Sequence, residues 1–72
     1  MIFVLTAFSS NIQASTDFDT ICEFAGEYMN IEESKVYANA FRATLKSAIE
    51  RDLKTCYVEA QGFRLNVEIF RA

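Results

Sequence analysis

The chain has 72 residues, which makes one domain (1–72) near the lower size limit for an independent core. A hydrophobic fraction of 51%, with seven Phe and three Tyr, excludes a disordered chain and calls for a large core or an apolar patch that a partner covers. The net charge of −3 argues against direct nucleic-acid binding, which needs clustered Lys and Arg.

Strand signals come first. From Met1 to Phe8, Ile2, Val4, Thr6 and Phe8 alternate with Phe3, Leu5 and Ala7. A strand apolar on both sides is usually central or covered on both faces. No Lys or Arg precedes this apolar run and the run is short, so it reads as part of the folded domain rather than a secretory signal. It is also too short to span a bilayer. Ser9 to Ser15 is polar and reads as a loop.

Thr16 is the expected N-cap of a first helix over residues 17–29, with Asp17 in the first turn where the helix dipole favours an acid. Phe18, Ile21, Cys22, Ala25, Tyr28 and Met29 recur at helical spacing. Asp19, Glu23 and Glu27 follow at i, i+4 and i+8 on the opposite side. Asn30 with Glu33 is close to a capping box and predicts a second helix over residues 31–52. Its apolar face is Tyr37, Ala40, Phe41, Thr44, Leu45, Ala48 and Ile49. Lys35, Asn39, Arg42 and Lys46 form its solvent stripe.

The last segment, "VEAQGFRLNVEIF", joins two alternating runs at Gln61-Gly62. A two-residue turn there pairs Ala60 with Phe63, Val58 with Leu65 and Cys56 with Val67 on an apolar face. Glu59 then meets Arg64, and Tyr57 meets Asn66, on the other face. Opposite charges land on each other, which favours this register. Gly62 supplies the positive φ that a tight turn requires. The expected fold is therefore α+β in the order β-α-α-β-β, a three-stranded antiparallel sheet with two helices packed on one face.

The chemistry open to this chain is narrow. It has no His, the usual general base near neutral pH, and only two glycines, so no glycine-rich phosphate loop. Asp19 and Glu23 are close enough for a carboxylate pair, but on a convex helix surface. No catalytic residue and no cofactor is expected, and the chain reads as not an enzyme. Two cysteines without histidine do not make a structural metal site. Cys22 and Cys56 read as buried, reduced thiols, with a Cys22–Cys56 disulfide as the alternative.

Binding is the work that fits. Residues 1–34 carry six acids and no Lys or Arg, while residues 35–72 carry seven bases and four acids. The stripe Asp19, Glu23, Glu27 is one candidate partner surface, suited to a basic protein, although the basic stripe of the second helix is able to neutralise it. The outer face of the sheet, with Tyr57 and Phe70, is the other, because aromatic anchors dominate hot spots.

The stretch "YANAFRATLKSAIERDLKTCYVE", Tyr37 to Glu59, resembles part of the T-even phage antitoxin Dmd family. The likeness lies in Tyr37-Ala38, Arg42-Ala43, Lys46, Ile49-Glu50 and the end "KTCYVE"; it needs a one-residue gap and covers about a third of the chain. The resemblance implies a phage-encoded inhibitor in the host cytoplasm, whose partner is a host nuclease or toxin with a basic surface. No toxin-contacting residue is carried over. The alternatives are a secreted or periplasmic small domain with a Cys22–Cys56 disulfide, and a homo-oligomeric structural module, for which a homodimer is the simplest form. No membrane association is expected.

Overall fold

A computed structural model of the protein describes residues 1–7, 10–29, 34–60 and 62–71. Six elements follow in order: β1 (Ile2–Ala7), β2 (Ser10–Ser15), α1 (Phe18–Met29), α2 (Ser34–Glu50), β3 (Thr55–Ala60) and β4 (Phe63–Phe70). The class is α+β. The sheet has four strands, not three, in the order β2-β1-β4-β3, and every neighbouring pair is antiparallel.

The extra strand is β2, which lies where the sequence predicts a loop. Ser, Asn and Gln have no preference for strands. The free edge of β1 supplies the backbone partners instead, and β2 pairs along it from Phe3↔Ser15 to Ala7↔Ser10. The register shifts between Leu5, opposite Gln13, and Thr6, opposite Asn11. Ile12 is thus the extra residue of a bulge, and its side chain packs against the core.

In the β3–β4 hairpin, Cys56↔Val67, Tyr57↔Asn66, Val58↔Leu65, Glu59↔Arg64 and Ala60↔Phe63 pair as the alternating pattern predicts. Gly62 has φ 78°. Strand β4 also pairs with β1, which places β1 inside the sheet: Ile2 faces Phe70, Val4 faces Glu68 and Thr6 faces Asn66.

The helices start and stop differently from expectation. Asp17, not Thr16, caps α1. Its carboxylate accepts from the Thr20 amide at 3.2 Å, and its carbonyl accepts from the Ile21 amide at 3.2 Å. The Ser15 hydroxyl accepts from the Asp17 amide at 3.0 Å and holds the cap in place. The capping box expected at Asn30 and Glu33, with the start of the second helix, lies outside the described residues. Helix α2 ends at Glu50 rather than at residue 52. Asp52 turns left-handed (φ 58°), its amide donates to the Ile49 carbonyl at 3.2 Å, and the Leu53 amide donates to the Ala48 carbonyl at 2.9 Å. These two bonds form a Schellman motif, with an aspartate where glycine is commonest.

One core joins both helices to one face of the sheet. Phe3, Leu5 and Ala7 of β1 meet Leu65, Val67 and Ile69 of β4, with Ile21, Cys22 and Ala25 from α1 and Tyr37, Phe41, Leu45 and Ala48 from α2. Ala40, expected on the apolar face of α2, is exposed, while Thr44 and Ile49 are half-buried at its margins. Tyr28 of α1 is exposed as well, although its ring lies 6.0 Å from that of Phe63.

Candidate functional surfaces

The acidic stripe of α1 faces α2. Asp19 is ion-paired with Arg42, which stands 5.9 Å over the Phe18 ring. Phe18 in turn meets Phe3 edge-on, with centroids 6.3 Å apart. The hydrogen bond to Asp19 raises the pKa of Arg42 further, so this guanidinium stays charged. Glu23 and Glu27 line a shallow cleft of about 390 Å³ together with Lys35, Asn39 and Arg42. Lys35 and Arg42, expected to point into solvent, therefore border the acids of the neighbouring helix, while Lys46 is exposed as expected. The stripe is partly matched within the chain: Asp19 has its partner, whereas Glu23 and Glu27 are exposed and in no ion pair among the described residues.

The outer face of the sheet is open. Tyr57 is 51% exposed, Phe70 50% and Ile2 46%. Helices pack on the opposite face, and among the described residues nothing lies over this one. Tyr57 and Phe70 share the face without touching. Tyr57 sits opposite Asn66, four residues from Phe70 along β4, or about 13 Å at strand spacing.

Two distinct patches result. Around Phe70 the register places Ile2 directly opposite and Val4 beside Glu68, with Ala14 of β2 next to Val4. Around Tyr57 the Arg64 guanidinium stacks on the ring at 4.3 Å and donates to Glu59 at 3.0 Å. Ile2 is a member of the surface that sequence reasoning did not single out. The alternation in β1 placed it on one side of that strand. Only the β1–β4 register placed it against Phe70.

Next to Phe70, just past β4, Arg71 gathers the end of α2. Its guanidinium donates to the Leu53 carbonyl at 2.7 Å and to the Ile49 carbonyl at 3.3 Å, and lies 3.3 Å from the Asp52 carboxylate.

The potentially reactive groups are held in their neutral forms. Cys22 and Cys56 are both free. Burial pushes each thiol up to about 11, with Arg42 opposing the shift at Cys22. Cys22 is sealed in the core, as expected. Cys56, on an edge strand, is only half-buried. The Tyr37 hydroxyl donates to the Val58 carbonyl at 2.8 Å, and burial pushes its pKa up to about 12, against a small lowering by the Leu65 backbone. A protonated thiol is a poor nucleophile. Among the described residues no three His, Cys, Asp or Glu gather where they would hold a metal ion, and no helix is long and apolar enough to cross a membrane.

No protein-family model, curated protein or solved structure matches this chain.

Proposed function

We propose that the chain is a small non-enzymatic protein-binding module that inhibits its partner by covering a functional surface. The observation that carries this reading is the open sheet face, where Ile2, Tyr57 and Phe70 are each about half exposed. In so small a domain, placing large apolar side chains on one exposed face forgoes their burial unless a partner supplies it. Aromatic anchors ringed by polar groups are the usual composition of an interface centre.

Charge narrows the partner. On the strands of this face Glu59 and Glu68 outnumber Arg64, and the chain as a whole carries −3. A partner surface that is apolar at its centre and basic at its rim fits best. The resemblance of Tyr37–Glu59 to the Dmd antitoxins points to a host nuclease or toxin as the partner class, with the host cytoplasm as the place of action.

The exposed pair Glu23 and Glu27 favours a second reading, in which the acidic side of α1 steers or holds the basic partner. One experiment separates the two. Affinity capture from a bacterial lysate is run with the wild type, with Ile2→Ser/Phe70→Ser, and with Asp19→Asn/Glu23→Gln/Glu27→Gln. A stoichiometric partner kept by the acid variant and lost by the sheet-face variant supports the first reading. The reverse pattern supports the second. Self-association alone would replace both with a homo-oligomeric module.

A further inference from the structure

We infer that the free edge of β3, together with the groove between β3 and α2, is a separate binding site for an extended acidic segment of a partner protein, which adds to the sheet as a fifth strand. This surface meets the outer sheet face at Tyr57, which lines both, but does not depend on that reading.

The backbone carries the argument. The Lys54 carbonyl accepts from the Ile69 amide at 2.8 Å, which identifies the pair just before β3 as a hydrogen-bonded one. Such pairs alternate along an antiparallel ladder. Cys56, Val58 and Ala60 therefore direct their amides and carbonyls at β4, and Thr55, Tyr57 and Glu59 direct theirs at the open side. Among the described residues, no hydrogen bond outside the β3–β4 ladder reaches these three backbones. A row of unpaired donors and acceptors is a template for another extended chain.

The two edges of the sheet differ. At β2, the bulge at Ile12 and the polar composition blunt the edge. Strand β3 has six residues in unbroken register with β4, no bulge and no proline. Beside it lies a groove of about 530 Å³. Its α2 wall includes Ala43 and Ser47, both small and exposed, which leaves room for an added backbone and its inward side chains. Half-buried Cys56 contributes to its lining from the strand side.

Charge selects the occupant. Arg51 is the one charged side chain among the described residues lining this groove; it is exposed and makes no ion pair among the described residues. A guanidinium so placed fits a carboxylate bidentately. Main-chain bonds to β3 would supply affinity, and the groove with Arg51 would supply selectivity, as in other strand-addition sites.

The test uses the full chain, labelled with ¹⁵N, and two pools of synthetic eight-residue peptides in which apolar and polar residues alternate. One pool carries a single glutamate per peptide and the other carries glutamine in its place. The glutamate pool is expected to bind about tenfold more tightly at low salt, a difference that Arg51→Gln abolishes. Bound peptide should slow amide exchange at Thr55, Tyr57 and Glu59. Ser47→Trp, at an exposed helix position, should fill the groove and lower affinity about tenfold or more while leaving thermal stability close to wild type. Ile2→Ser/Phe70→Ser should bind the peptides normally, which keeps this site separable from the outer face. The inference is overturned if neither pool binds, if the two pools bind alike, if the protected amides lie outside β3, or if Ser47→Trp binds as wild type. It is equally overturned if β3 becomes protected with rising protein concentration and no peptide, because a second copy then occupies the edge.

Discussion

The Arg71 guanidinium donates to the Leu53 carbonyl at 2.7 Å, joining the residue after the last strand to the turn that ends α2. The same side chain reaches the Ile49 carbonyl and the Asp52 carboxylate. It is a cation at the negative end of a helix dipole, bonded to the Leu53 carbonyl just past the helix and sharing the Ile49 carbonyl with the Asp52 amide. Replacing it with an apolar side chain of similar length, Arg71→Met, is expected to destabilise the fold by about 1–2 kcal/mol, read by urea unfolding. The ion pair is the lesser part, since the Asp52 side chain is 87% exposed. Asp52→Gly should therefore be neutral or stabilising by about 0.5 kcal/mol, as glycine is unstrained at positive φ. A large loss in Asp52→Gly would show that the carboxylate, not the carbonyls, anchors Arg71.

At Gly62 the backbone conformation, not space, sets the constraint. Its φ is 78°, and an added Cβ would meet nothing within 4 Å. Substitutions should then rank by their tolerance of the left-handed region. Gly62→Asn should cost least, Gly62→Ala about 1 kcal/mol and Gly62→Val more than that. Equal losses for Asn and Val, measured by thermal unfolding, would refute a left-handed turn.

Two buried groups, Cys22 and Tyr37, and half-buried Cys56 define an alkaline limit. The pKa values of Cys22 and Cys56 rise from 9.0 to about 11, and that of Tyr37 rises from 10.0 to about 12, chiefly through burial. The folded state therefore holds more protons than the unfolded state above pH 9. Stability is full below the unfolded values and falls as pH rises toward 11–12. The melting temperature should be flat up to about pH 8.5 and drop steadily above it, with a shallower drop in Cys22→Ala/Cys56→Ala. A profile unchanged by removal of both thiols would assign the limit elsewhere. Labelling of the native protein should modify half-buried Cys56 before Cys22.

The acids of α1 should not behave alike. Glu23→Gln/Glu27→Gln relieves repulsion at i, i+4 spacing and should stabilise by a few tenths of a kcal/mol. Adding Asp19→Asn removes the partner of Arg42 and should offset that gain, because it breaks the ion pair between the helices. Thermal melts of the double and triple variants test this. A triple variant more stable than the double would mean that the Asp19–Arg42 pair contributes nothing.

The hairpin and the helices were legible because their signals are local. Gly62, the alternation on either side of it and the Glu59–Arg64 match all lie within a few residues, and they specify one register without reference to the rest of the chain. The acidic stripe was legible as a periodicity. That it borders Arg42 and Lys35 was legible only as an alternative, because helical spacing defines a face and says nothing about what packs beside it. Strand β2 was hidden for a related reason. Ser10–Ser15 has no preference of its own for extended structure, and the open edge of β1 imposes that structure from outside. The openness of the face carrying Ile2, Tyr57 and Phe70 is also a tertiary property. A strand apolar on both sides reads the same whether its second face is buried or bare, and only the placement of both helices on one side of the sheet left this face exposed.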